Sequence, residues 1–183
     1  MKTIAIIFFA LLSFSSISQV ERIESKQLDS LIWKKINEYR ITQSLSPFIA
    51  FEDSLMRKFC TRVAYGNFNR SLQRHSDSVG YWSNAECLYR YESSGSFFTN
   101  IISDRGEIDL ELLAQKAVQG WIHSPTHEAA ISRSNDGAAT IVSIISIDRK
   151  NKSIKFDATF HSLDKSKATF NRYVYPITKK GNR

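Results

Sequence analysis

The sequence predicts a layered α+β domain, and two patterns support this fold class. In the first two thirds of the chain, apolar residues recur at three- and four-residue steps, which is typical of amphipathic helices. Near the end, residues 140–147 and 153–161 are rich in β-branched or alternating apolar residues, which favours two antiparallel strands joined across residues 148–152. Helices followed by a hairpin with an apolar face indicate a sheet covered by helices.

The composition fits one globular domain. The chain has 183 residues, of which 42% are hydrophobic and 12% aromatic, so it can bury a sizeable core. With 7 Gly and 3 Pro, it contains neither a collagen-like repeat nor a proline-rich linker. These values exclude a wholly disordered or fibrous chain.

Two long helices are predicted in the first part of the chain. The first covers residues 21–45 and is interrupted by Ser46-Pro47, because the residue before a proline is steered away from helical backbone angles. The second begins at Asp53 or Ser54 and ends at Gly66.

The middle of the chain predicts a short strand and two more helices. The strand covers residues 82–89, and a long loop follows over residues 92–106. Asp109 is placed to cap a third helix that ends near His123. Ser124-Pro125 then begins a short fourth helix that runs to about Ile131.

The N-terminal segment reads as a signal peptide over residues 1–18. Lys2 precedes an apolar run over residues 4–12, and a serine-rich stretch follows before Gln19. An anchor that stays attached is the alternative. The apolar run is shorter than the roughly 20 residues that span a bilayer, and no later segment is longer, so we do not expect an integral membrane protein. The expected location is secreted or periplasmic.

Basic residues are concentrated at the C-terminus, which divides the mature chain into a domain over residues 19–163 and a basic tail over residues 164–183. From Lys150 onward there are nine Lys or Arg and two Asp, whereas residues 19–149 carry a net charge of −1. Charge confined to one end indicates a solvated tail or contact with an anionic cell-envelope component, and not a nucleic-acid groove.

The two cysteines, Cys60 and Cys87, permit one pairing. An even number of cysteines in an exported chain favours a disulfide between them. The alternative is two separate buried thiols, because Cys60 lies on an apolar helix face.

Common local catalytic motifs are absent from the sequence. It has no glycine-rich phosphate loop, no CxxC pair, no GxSxG elbow and no HExxH helix. His123 and His127 are four residues apart, but Pro125 lies between them and starts a new helix. The two imidazoles are therefore not expected to form a metal pair on one helix face.

Four segments, in order, resemble a known family. They are Asn37-Glu38-Tyr39-Arg40 with Ser46-Pro47, the second helix followed by His75, Ala85-Glu86-Cys87-Leu88, and Trp121 with Ser124-Pro125-Thr126-His127. Together they resemble the CAP superfamily of cysteine-rich secretory proteins, antigen 5 and pathogenesis-related 1, also called SCP/TAPS, in its short bacterial form. The resemblance covers roughly residues 30–162.

This resemblance implies a three-layer α-β-α sandwich with a central antiparallel sheet and a surface groove. The groove would contain His75, Glu86 and His127, with Trp121 as a further ligand-binding candidate. Two departures from the family pattern matter. The second glutamate of many members is Ser124 here, and the Gly and Asn beside the glutamate are Ala85 and Cys87.

Two imidazoles and one carboxylate suit an open zinc site or a site for another divalent metal, with water completing the shell. Alternatively, His75, Glu86 and His127 only hydrogen-bond to one another, or they transfer protons. The leading interpretation is a CAP-domain module that binds a lipid, glycan or protein partner without established catalysis. The alternative is a metal-dependent hydrolase that uses this groove. Trp82, Trp121 and Phe97-Phe98 are aromatic candidates for an apolar ligand site.

Overall fold

The structure is a computed structural model that describes residues 20–51, 54–76, 83–134 and 136–164. The predicted signal peptide, the tail beyond residue 164 and Trp82 lie outside the described residues. Within these ranges, no helix combines the length and the apolar character needed to cross a membrane.

A mixed sheet forms the middle of the domain. Its strands are β1 (Val20–Glu24), β2 (Ile49–Ala50), β3 (Ala85–Ser94), β4 (Asp136–Asp148) and β5 (Ser153–Asp164). The order β1-β4-β5-β3 is antiparallel throughout, and β2 pairs in parallel with β4. The predicted hairpin is confirmed as β4 and β5.

Helices cover both faces of this sheet. They are α1 (Lys26–Thr42), α2 (Ser54–Phe68), α3 (Leu110–Ile122) and α4 (Pro125–Ile131), and Gly95–Asn100 forms a 3-10 turn. One apolar cluster joins α1, α3 and α4 to one face, with Phe156 and Phe160 of β5 at its centre. A second cluster packs α2 against the opposite face. The fold is therefore the expected α+β, three-layer α-β-α sandwich.

Local signals in the sequence explain the ends of α3 and α4. The Asp109 carboxylate accepts a hydrogen bond from the Leu112 backbone N–H at 2.8 Å, which satisfies an amide that the helix leaves unpaired. Pro125 takes the first position of α4, where its missing N–H costs nothing. Both predicted helices are confirmed.

The beginning of the chain differs from the prediction. Residues 20–24 form β1 instead of helix, with Glu24 opposite Ile144 in the register with β4. The helix begins only after Ser25, whose hydroxyl accepts a hydrogen bond from the Leu28 N–H at 3.1 Å. The partner strand of β1 lies about 120 residues away in sequence, so the local apolar pattern of residues 20–24 gives no sign of this pairing.

The bounds of two other elements differ from the prediction. Helix α2 continues past Gly66 to Phe68, and the strand predicted over residues 82–89 is β3, Ala85–Ser94.

The predicted disulfide between Cys60 and Cys87 is wrong. Both cysteines are free thiols and fully buried. Cys60 belongs to the cluster beneath α2, whereas Cys87 on β3 belongs to the cluster beneath α1, α3 and α4. The sheet lies between the two clusters, so the sulfur atoms cannot meet.

Arg40 holds the segment that carries His127 in place. Its buried guanidinium donates hydrogen bonds to the carbonyls of Ser46 and Ile131 at 2.8 and 2.7 Å. It also stacks on the Phe48 ring, 3.7 Å from the ring centre. One charged side chain thus joins the end of α1 to the end of α4.

Candidate functional site

His75 and Glu86 form the centre of the candidate site. His75 follows α2, and its Nδ1 lies 2.8 Å from Oε2 of Glu86 on β3. The same oxygen accepts a hydrogen bond from the Ser76 backbone N–H at 2.8 Å. The Glu86 side chain is 1% exposed, whereas that of His75 is 56% exposed. Because Nδ1 donates to the carboxylate, Nε2 is the ring nitrogen of His75 that remains for a ligand.

A third histidine lies behind the carboxylate. His161 is the direct partner of Glu86 in the register of β3 and β5. Its Nε2 lies 3.5 Å from Glu86 Oε1, and its Nδ1 lies 3.2 Å from the Ser83 hydroxyl. Burial lowers the pKa of His161 to about 3, so the imidazole stays neutral at ordinary pH. Glu86 therefore lies between an exposed imidazole, to which it is hydrogen-bonded, and a buried one, to which it is not: among the described residues, Glu86 Oε1 and His161 Nε2 have no hydrogen-bond partner.

His161 was not among the predicted site residues. The alternation along β5 places it with Asp157 and Thr159 on the side of the strand opposite Phe156 and Phe160. That side is covered by α2, and all three polar residues are fully buried. The sequence indicates His161 as a site residue only when the pairing of β3 with β5 is known, because that pairing places His161 opposite Glu86.

His127 lies beside His75. It is half-buried on α4, and the centres of the two imidazole rings are 6.1 Å apart. Its backbone carbonyl accepts a hydrogen bond from the Cys87 thiol at 3.6 Å. Burial lowers the pKa of His127, with a further contribution from His75, so His127 also favours its neutral form.

The three predicted metal ligands are neighbours but do not form a coordination set. Among the described residues, no group of three His, Cys, Asp or Glu side chains is arranged to hold a metal ion. Glu86 Oε2 is occupied by His75 and Ser76. In this arrangement, the carboxylate orients His75 and is not itself presented to a metal.

Trp121 belongs to the core and not to a groove wall, contrary to its selection as a ligand-binding candidate. It is fully buried, with its ring centre 6.0 Å from that of Phe160. Of the other aromatic candidates, Phe98 is buried and Phe97 is exposed on the 3-10 turn. Of these three described candidates, Phe97 is thus the one whose ring is exposed.

A cavity of about 290 Å³ opens on the α2 side of His75. It is lined by Arg62, Val63, Gly66, Asn67, Arg70, Arg74, His75 and Ser76. We call it the arginine pocket. The sequence signal for it is the stretch of residues 54–76, which contains five Lys or Arg and no Asp or Glu.

Comparison with known proteins does not assign this chain to a family. No family model matches it, and no curated protein matches it. Among solved structures, it is similar to an outer surface protein from Borrelia burgdorferi, with a TM-score of 0.49 and 15% sequence identity over 79% of this chain and 98% of that chain.

Proposed function

We propose that this protein is an exported CAP-type module that binds a ligand at the groove of His75, Glu86 and His127. The observation that carries the proposal is the bond between His75 Nδ1 and Glu86 Oε2. A buried carboxylate that fixes an exposed imidazole orients that imidazole before any ligand arrives. Export is supported by the signal-peptide pattern of residues 1–18, and the ligand classes that suit this location are lipid, glycan and protein components of the cell envelope.

Binding is favoured over hydrolysis because one acidic group of the family pattern is buried in this chain and the other is replaced. The Glu86 side chain is 1% exposed, and its Oε2 accepts hydrogen bonds from His75 and the Ser76 N–H, so water does not reach this carboxylate to be activated by it. The second glutamate of the family pattern is Ser124 in this chain. The groove thus offers oriented imidazoles, and among the described residues His75, Glu86 and His127 it presents no exposed carboxylate.

A metal-dependent hydrolase is the second candidate, and one observation favours it. A carboxylate bonded to Nδ1 of a histidine is the usual second partner of a metal-binding imidazole. With Nε2 of His75 directed away from Glu86 and His127 next to it, the two imidazoles would supply two ligands for zinc or another divalent ion.

The test compares protein purified from its exporting cell without added metal. Native mass spectrometry and metal analysis are applied to the wild type, His75→Ala and His127→Ala, with His123→Ala as the control. His123 is exposed, and its Nδ1 is bonded only locally, to the Gln119 carbonyl at 2.8 Å. We expect a bound organic ligand that is lost in the first two variants and kept in the control.

Two results would change this conclusion. Stoichiometric metal that disappears in His75→Ala and His127→Ala would favour the hydrolase. A ligand retained by both variants would place binding elsewhere and refute the proposal.

A further inference from the structure

The arginine pocket concentrates positive charge beside His75. Arg62, Arg70 and Arg74 line it together with His75, and all four residues are exposed. Between Asp53 and Asp77 the chain contains no acidic residue. A cavity whose charged walls all carry one sign attracts ligands of the opposite sign.

These three guanidinium groups differ from the other arginines packed near α2. Arg57 is paired with Glu24 and Asp29 at 2.6 and 3.0 Å, and Arg90 with Asp157 at 2.8 Å. Within the described part of the chain, no ion pair is formed by Arg62, Arg70 or Arg74. Arg57 and Arg90 are thus neutralised by carboxylates, whereas the pocket arginines keep their charge unpaired, with Arg62 lying over the Phe59 ring at 5.8 Å from the ring centre.

The backbone that carries the pocket is fixed in advance. The Arg90 guanidinium, neutralised by Asp157, donates hydrogen bonds to the carbonyls of Asn67, Arg70 and Ser71 at 2.6, 2.8 and 3.0 Å. The buried Asn67 side chain accepts a hydrogen bond from the Arg74 N–H at 2.7 Å. A rigid backbone reduces the entropy that ligand binding would cost.

We propose that the arginine pocket binds a phosphate group of the ligand. The planar guanidinium fork of arginine matches the oxygens of a phosphate, and three arginines line this one cavity together with the His75 imidazole. A cavity of about 290 Å³ accommodates a phosphorylated headgroup but not a folded partner. This inference rests on the proposed function in one respect: the phosphate is taken to belong to the ligand that binds at the neighbouring groove.

The same chemistry occurs in free phosphate esters and in phospholipid headgroups, so the test has two arms. Titration calorimetry with inorganic phosphate measures the free anion. Co-sedimentation with phosphatidylglycerol–phosphatidylcholine vesicles measures the lipid. The full mature chain is used in both arms, since its basic tail is the same in every variant and cannot explain a difference between them.

The informative variant is Arg70→Gln combined with Arg74→Gln. The matched control is Arg105→Gln, an exposed arginine in the loop before α3, away from the pocket. Loss of two charge-assisted contacts should weaken phosphate or vesicle binding by about tenfold or more, and the control should bind like the wild type. Because all the changed side chains are exposed, the urea midpoint should stay the same, which checks folding.

The outcomes separate this inference from the proposed function. Phosphate binding that responds to the double variant supports a free phosphate ester, and a response seen only with vesicles supports a lipid headgroup. Equal binding by the double variant and the wild type, or no binding in either arm, overturns the inference. The dependence of ligand binding on His127 separates the two proposals, because His127 does not line the pocket, whereas His75 belongs to both the pocket and the groove.

Discussion

Glu86 and His161 face each other across β3 and β5, with both side chains buried beneath α2. On the other side of the carboxylate, His75 reaches the surface. The site is therefore a short row in which a structural histidine, a carboxylate and an exposed histidine follow one another. His75, at the exposed end of the row, can contact a ligand, whereas His161, at the inner end, is part of the core.

This arrangement predicts unequal stability effects for the two partners of the central hydrogen bond. Glu86→Ala would leave the Ser76 N–H without its acceptor and remove a buried side chain beside His161, and we expect a loss of about 1–3 kcal/mol in the free energy of unfolding. His75→Ala removes a half-exposed ring and should cost less than about 1 kcal/mol. Urea unfolding measures both values. Equal losses in the two variants would contradict the row described above.

Much of the fold could be predicted from local sequence signals. The ends of α3 and α4 follow from Asp109 and from Ser124-Pro125, and the hairpin follows from alternation and β-branched residues. These features depend on neighbours a few residues away. The resemblance to the CAP pattern supplied His75 and His127, which the structure places side by side.

Features that depend on distant partners could not be predicted in this way. The polar positions of β5 look solvent-facing in the sequence, but α2 covers them, so Asp157 and His161 are buried. The sequence favours a disulfide between the two cysteines, but in the fold the sheet separates them. A comparison of net charge between tail and body does not indicate the arginine pocket, because the body is nearly neutral as a whole.

His161 predicts a pH dependence of stability. Burial lowers its pKa to about 3 in the folded protein, whereas an unfolded chain has a histidine pKa of about 6.5. Between these values the unfolded state binds a proton that the folded state does not. The free energy of unfolding should therefore fall as the pH is lowered, with His161 contributing up to about 1.4 kcal/mol per pH unit.

His161→Gln is the variant that isolates this contribution. Urea unfolding between pH 7 and pH 5 should show a shallower decline for the variant than for the wild type. Burial raises the pKa of Asp29, which acts in the opposite direction, but Asp29 is present in both proteins and cancels in the difference. The same pH slope in both proteins would show that His161 is not the titrating group.

The free thiols predict a second measurable property. Cys60 and Cys87 are fully buried, and burial raises the pKa of both, so neither thiolate is available to react. In native protein, a thiol reagent should modify them only as fast as the chain unfolds. In concentrated guanidinium chloride without reductant, both should react at once. Fewer than two reactive thiols in the denatured chain would show that a disulfide forms after all.

The last prediction concerns two glycines within helices that should respond in opposite ways to the same substitution. Alanine normally stabilises a helix relative to glycine by about 0.5–1 kcal/mol, because it lowers the entropy of the unfolded chain. A Cβ atom at Gly66 in α2 would meet no atom of the described residues within 4 Å, so Gly66→Ala should show this gain. A Cβ atom at Gly120 in α3 would lie 2.7 Å from Tyr89 Cδ2 and closer still to Cε2.

Tyr89 cannot move away freely, because its ring packs against Phe156 with the ring centres 5.9 Å apart. Gly120→Ala should therefore force α3 away from β3 and cost about 1–3 kcal/mol, as overpacking usually does. Urea unfolding of the two variants gives the comparison directly. If Gly120→Ala were as stabilising as Gly66→Ala, the close approach of α3 to Tyr89 would be wrong, and with it the position of the helix that leads into His127.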